Sequence, residues 1–264
     1  MNAYEQELMD NQTIDTNTSS LPDFPGRMLA YNNNTGTLGI FVPGEFQESE
    51  NIDSIKFAVG FVMKRLKLKE GSNDAITSTY VVGGEDTPYR LTVNGQTYTA
   101  KSKKDMVAAM HLQDASVLKL ETIYIGYAIQ INGANLNAAE PIWYVSRGVN
   151  DYNLNDEIKA SVGKLNKRTM IKLLADHIPF TNQTGGTNIV MNFEVEEIPE
   201  ERIPGFAEYV SKNGAYENVA VYKQAMLQAT KNPAPTVAPE APNSMPADPF
   251  AGQEIDISDD DLPF

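Results

Sequence analysis

Cysteine is absent from all 264 residues. That excludes disulfides, thiol nucleophiles and cysteine-ligated zinc, and it fits a reducing compartment. Histidine is nearly absent: His111 and His177 are the only two, on and at the end of helical patterns, where structural roles are expected. No stretch approaches the ~20 apolar residues of a membrane span. The opening MNAYEQELMDNQ has neither the basic segment nor the apolar segment of a secretory signal, so a soluble, cytoplasmic protein is expected. No GxxxxGK[ST] or GxGxxG phosphate loop is present, and Gly83-Gly84 and Gly185-Gly186 read as turns. Glu194-Val-Glu-Glu197 has the residue types to chelate Mg²⁺, but its spacing is that of a strand end running into solvent. No catalytic residue, metal or cofactor is expected.

Basic residues are missing from both ends. Residues 1–20 hold four acids (Glu5, Glu7, Asp10, Asp15) and residues 232–264 hold seven, with no lysine or arginine in either segment. The net charge of −14 is therefore uneven, and the remaining body has 24 acids against 21 bases. A near-neutral body can carry a local basic groove.

The chain divides into a polar lead-in over 1–22, a body over 23–231, a proline-rich segment over 232–253 and an acidic tip over 254–264. In the body, Met28 to Tyr31 and Thr37 to Val42 flank the turn-rich Asn32-Asn33-Asn34-Thr35-Gly36. Tyr89 to Val93 and Gln96 to Ala100 flank Asn94-Gly95, a strong hairpin signal. Long strands are predicted from Ile55 to Lys69 and from Val117 to Asn132, with further strands at Ile142 to Arg147 and Asn188 to Glu196. Helical spacing appears over Lys104 to His111, Asn155 to Ala175 and Ala215 to Ala229. This pattern predicts a mainly β fold with added helices (α+β), either a barrel or a sandwich. Six prolines between Asn232 and Pro249 leave almost nothing to build a core there. An extended, disordered linker rising about 3.1 Å per residue is expected.

The last residues, Glu254-Ile-Asp-Ile-Ser-Asp-Asp-Asp-Leu-Pro-Phe264, have the properties of a peptide ligand. Asp259, Asp260 and Asp261 suit a basic ridge, and Phe264 supplies an aromatic anchor with an α-carboxylate beside it. Pro263 lowers the cost of ordering the segment on docking, and Leu262 adds apolar contact. A solubilising tail needs none of this order.

The Asp-Asp-Asp-Leu-Pro-Phe ending behind a proline-rich linker resembles the tail of bacterial and phage single-stranded DNA-binding proteins. The resemblance covers about the last 11 residues and the linker's character. It implies single-stranded DNA as ligand and an oligonucleotide-binding (OB) fold, here either enlarged or replaced by a different fold carrying the same tail. It further implies that Asp259 to Phe264 dock DNA-processing partners such as a helicase, primase, polymerase, nuclease or recombination mediator. The family's N-terminal strand pattern is not recognised in the larger body, which points to a divergent phage or mobile-element protein.

Binding a single strand needs cations for the backbone and aromatic faces for the bases. Strand alternation places Arg65, Lys67 and Lys69 on one face of Met63 to Lys69. Lys101, Lys103 and Lys104 follow the Asn-Gly hairpin at a loop tip or helix start. Tyr124 stands among small residues on the even-numbered face of Glu121 to Ile131, where an open stacking platform is expected, while the odd-numbered isoleucines face a core. Trp143 and Tyr144 point to opposite faces, so one is expected to be accessible, and Arg147 shares Trp143's face. Lys164, Lys167 and Arg168 fall at i, i+3, i+4 on the predicted helix from Asn155. A replication or recombination accessory factor, or a strand-annealing protein that borrowed the tail, is the alternative. An acidic structural protein that binds no nucleic acid is a third.

Overall fold

The computed structural model describes residues 24–32, 35–41, 50–70, 74–83, 86–181 and 187–231. The expectations for the lead-in, the proline-rich linker and the acidic tip lie outside the described residues. Within them the fold is mainly β with four α-helices. The strands are β1 (Arg27–Asn32), β2 (Thr37–Phe41), β3 (Glu50–Ile52), β4 (Ser54–Glu70), β5 (Asp74–Thr77), β6 (Val81–Val82), β7 (Tyr89–Val93), β8 (Gln96–Ala100), β9 (Leu118–Ile131), β10 (Ala134–Arg147), β11 (Thr169–Thr181) and β12 (Thr187–Glu197). The helices are α1 (Lys103–Ala109), α2 (Gly148–Val162), α3 (Ile203–Ser211) and α4 (Ala215–Lys231).

The main sheet has the order β12-β11-β4-β9-β10-β1-β2-β3. Asp53 alone separates β3 from β4, yet five inter-strand steps lie between them. In a flat sheet those steps would hold the two strands about 24 Å apart. Two peptide links span at most about 7 Å. The sheet therefore curls until β3 meets the start of β4. Around this barrel-like body β1, β2, the bent strand β3–β4, β9 and β10 are successive neighbours. All these pairings are antiparallel except β1 with β10, which closes the ring in parallel. Asn132, in the β9–β10 turn, fastens the corner: its Oδ1 accepts from the Asp53 N–H at 2.8 Å.

Curling gives the sheet an inside and an outside, and both are packed. Inside, Leu38, Ile40, Ile55, Phe57, Tyr124, Tyr144, Ile171 and Leu173 form one core, sealed by Leu154 and Ile158 of α2. Outside, Phe61, Met63, Ile123, Ile125 and Trp143 pack beneath Val210 of α3 and Val219, Tyr222 and Met226 of α4. A third cluster, Leu66, Leu68, Leu91, Met106 and Leu118, fixes the β7–β8 hairpin and α1 over the far end of β4 and β9. The long strand β4 serves both main cores because its phase changes. Ile55, Phe57 and Val59 face inward, the register shifts between Val59 and Phe61, and Phe61 and Met63 face outward. Gly60 occupies that bulge, which re-aims the side chains beyond it.

Two expectations are corrected. The helix predicted over Asn155 to Ala175 is split. It begins earlier, at Gly148, and stops at Gly163, whose φ of +71° is the left-handed conformation that glycine tolerates. Thr169, Ile171 and Leu173 are fully buried at a spacing of two, the signature of a strand, and they belong to β11. His177 likewise lies in β11 rather than at a helix end. Second, the even-numbered face of β9 is not open: Tyr124 and Ala128 point into the inner core. No helix among the described residues is long and apolar enough to cross a membrane.

Candidate nucleic-acid interface

Beyond the outer core, β4 and β9 continue and their outward side chains become ionic. Arg65 pairs in register with Glu121, and Lys67 with Lys119. Arg147 of β10 stands opposite Glu121 on its other side. Lys69 follows Lys67 on the same face of β4, two residues on. Arg65, Lys67, Lys69, Lys119 and Arg147 thus form a cationic patch three strands wide, continuous with the outer surface of the barrel.

Glu121 organises the patch. Its side chain is fully buried, with Arg65 Nε 2.5 Å from Oε2 and Arg147 Nε 2.9 Å from Oε1. Burial alone would raise its pKa, but Arg147, Arg65 and Lys67 outweigh burial and hold the carboxyl below its usual range. Arg65 is itself almost enclosed. It donates from Nη1 to the Tyr80 hydroxyl at 2.8 Å, and its guanidinium carbon lies 5.4 Å from that ring's centroid. Tyr80 in turn packs edge-on against Trp143, with centroids 6.2 Å apart, so the aromatic core supports the cationic patch directly. Lys67, Lys69, Lys119 and Arg147 are half-exposed. Lys67 facing Lys119 across the strands is a like-charge pair, which costs stability in a sheet. An anion arriving there is attracted.

Arg65, Lys67, Lys69 and Arg147 are therefore brought together, whereas the other predicted residues are not. Tyr124 and Trp143 are 2% and 3% exposed. Tyr124 stacks on Tyr144 inside the barrel, and Trp143 is enclosed by Phe24, Tyr80 and Tyr222. Neither offers a face to a base. Tyr144 is buried as well, so neither member of the Trp143-Tyr144 pair is accessible, because both sides of the sheet are covered. Lys101, Lys103 and Lys104 stand where α1 begins, and α1 belongs to the layer covering the opposite side of β4 and β9. Lys101 pairs there with Asp86 at 2.9 Å. Lys164, Lys167 and Arg168 lie in the loop after Gly163, not on a helix face. Arg168 pairs with Glu197 at 3.2 Å, and Lys167 Nζ donates to the Gly60 carbonyl at 2.5 Å.

The comparisons with known proteins identify no relative. No family model matches the chain, and no curated protein or solved structure is significantly similar to it.

Lys119 and Glu121 complete the patch and were not among the candidates. The alternation that grouped Arg65, Lys67 and Lys69 would have found Lys119 two residues before Glu121, but pairing them with β4 needed the register. The acidic run has a structural explanation. Glu194 pairs with Lys172, Glu196 with Lys56 and Glu197 with Arg168, and no group of three possible metal-ligating side chains occurs among the described residues. On the inner side, Asp151 of α2 accepts from the Thr122 hydroxyl at 3.2 Å. Burial raises its pKa, only partly countered by Thr122, Lys64, Ser146 and Asn155.

Proposed function

We propose that this protein binds single-stranded DNA without sequence preference and recruits DNA-processing proteins through Asp259 to Phe264. The observation that carries the reading is the order of the final residues, three aspartates followed by Leu-Pro-Phe behind a proline-rich segment. The patch of Arg65, Lys67, Lys69, Lys119 and Arg147 supports it by supplying the cations that a sugar–phosphate backbone requires. The barrel takes the place of the OB fold that the resemblance implies. Its strands, however, run as a meander closed by a parallel pair, whereas an OB fold is a Greek-key barrel. That difference favours a second reading, a strand-annealing or accessory factor that carries the same tail.

The deciding experiment is fluorescence anisotropy of the full chain with labelled oligo-dT and with a duplex of equal length. Salt-sensitive preference for the single strand is the expected result, and equal or absent binding would overturn the reading. Deleting Phe264 should abolish capture of replication and recombination proteins while leaving oligo-dT affinity intact or slightly raised, because the acidic tip competes with DNA for cations. Unchanged capture after that deletion removes the tail from the function. Complementary strands separate the two readings: a protecting protein holds them apart, whereas an annealing protein speeds their pairing.

A further inference from the structure

Twenty ångströms or so along β4 from the cationic patch, at the Gly60 bulge, a second arrangement remains unexplained. Lys167 arrives from the loop before β11 and donates its ammonium to the Gly60 carbonyl. Lys223 arrives from α4 and sits 5.8 Å from the centroid of the Phe61 ring. The two ammonium groups are close enough that Lys223 adds to the lowering of the Lys167 pKa, behind burial as the larger cause. Neither has an ion-pair partner among the described residues. Two cations that meet at the Gly60–Phe61 step make a local positive field, which attracts an anion.

Two turns along α4 from Lys223, about 10 Å away, stands an accessible aromatic face, linked to the bulge through Tyr127, whose ring borders Gly60. Tyr216 is 54% exposed. One side of its ring is backed by Tyr127, with centroids 6.4 Å apart and planes 28° from parallel. Burial, with Tyr216 and Glu217, pushes the Tyr127 hydroxyl up to about 12, so this support stays neutral. Tyr216 and Lys223 are seven residues apart on α4 and therefore only about 20° apart around it. Ring and cation share one face of the helix. Glu217, next to Tyr216, is the acid nearest this arrangement in sequence and keeps it from being uniformly basic.

We propose that Tyr216, Lys167 and Lys223 form a subsite for one nucleotide of a single strand: the base stacks on the exposed face of Tyr216, and a phosphate bridges the two lysines. The subsite rests on the single-stranded DNA reading and extends it, placing base contact on α4 rather than on the sheet. Its chemistry suits any base, because every base has a π-face.

The test uses the full chain with oligo-dT and with an abasic strand of equal length. Tyr216→Ala should weaken oligo-dT binding about tenfold, within the range of one lost stack. It should also erase the preference for oligo-dT over the abasic strand, and Tyr216→Trp should restore both. Lys223→Gln, a surface change away from the stack, should leave that preference and make the log–log salt slope shallower by about 0.7. If the unaltered chain binds oligo-dT while Tyr216→Ala and Lys223→Gln leave affinity, preference and slope unchanged, the subsite is wrong and DNA binding stands. If the unaltered chain binds no single strand, both fall.

Discussion

Replacing Glu121 by glutamine would leave two guanidiniums converging on an uncharged amide with almost no water to screen them. Breaking a buried ion pair from one side costs about 3–5 kcal/mol. Arg147 is one-third exposed and can turn to solvent, which places Glu121→Gln near the lower end. The pH dependence has a definite sign. Glu121's folded pKa lies below the unfolded value, so its stabilisation is fully present above about pH 4.5 and is lost as pH falls through the folded value. Asp151 works in the opposite sense. Its raised folded pKa means that its contribution is present at low pH and is lost as pH rises through that value. Urea midpoints from pH 7 downward should therefore show the gap between the native chain and Glu121→Gln narrowing below pH 4.5. A gap that stays constant would mean that Glu121 is not held ionised. At this scale the sequence was half legible. Alternation correctly grouped Arg65, Lys67 and Lys69, but it could not reveal that the residue closing the group is an acid. Tyr124 and Trp143 are buried where alternation alone leaves a face open, because alternation assigns a side chain to a face and says nothing of what covers that face.

Elements were easier to recognise than their ends. Hydrophobic alternation and the Asn94-Gly95 turn marked β4, β7, β8 and β9 clearly, whereas the early start of β10 at Ala134, straight after the Asn132-Gly133 turn, was not expected. Both turns adopt positive φ at each residue: Asn94 at 50° and Gly95 at 78°, Asn132 at 50° and Gly133 at 77°. The split between α2 and β11 was missed because Leu165, Met170 and Leu173 satisfy a helical spacing as well as Thr169, Ile171 and Leu173 satisfy a strand. Gly163 decides between them. The phase change in β4 was also hidden, since Gly60 reads as an ordinary small residue inside a strand. A related glycine gives a sharp test. A Cβ on Gly126 would lie 2.1 Å from the Ala58 carbonyl oxygen, a backbone atom that cannot swing aside. β4 and β9 would have to separate where both cores meet. Gly126→Ala should cost about 3 kcal/mol or more, read as a lower urea midpoint. Gly95→Ala, with open space around its Cβ and only its positive φ to oppose it, should cost about 1–2 kcal/mol. Equal effects from the two substitutions would contradict the close β4–β9 approach.

For the whole molecule, the separation of charge was legible in the sequence, whereas the curl of the sheet was not. Curling depends on a single-residue corner at Asp53 and on the parallel β1–β10 pairing, and neither leaves a local pattern. It has a functional consequence, because it turns the outer ends of β4, β9 and β10 into one convex surface where five cations gather around Glu121. A chain of net charge −14 gains nothing from long-range attraction to DNA, so the electrostatic share of any affinity must come from local fields, and the largest gathering of cations is this patch, which acts within about a Debye length. Counterion release makes the argument quantitative: each phosphate neutralised on a single strand contributes about −0.7 to the slope of log K against log salt. Exchanging Lys67, Lys69 and Lys119 together for glutamine removes the half-exposed lysines while leaving the Arg65–Glu121–Arg147 unit in place. The slope should become shallower by about 2, and the melting temperature should change little, because relief of the like-charge pair across β4 and β9 offsets the attraction that Lys67 loses to Glu121 and Lys119 to Asp114. A slope unchanged by the triple exchange would mean that the strand passes elsewhere on the barrel. A collapse in stability would mean that the three lysines serve the fold rather than a ligand.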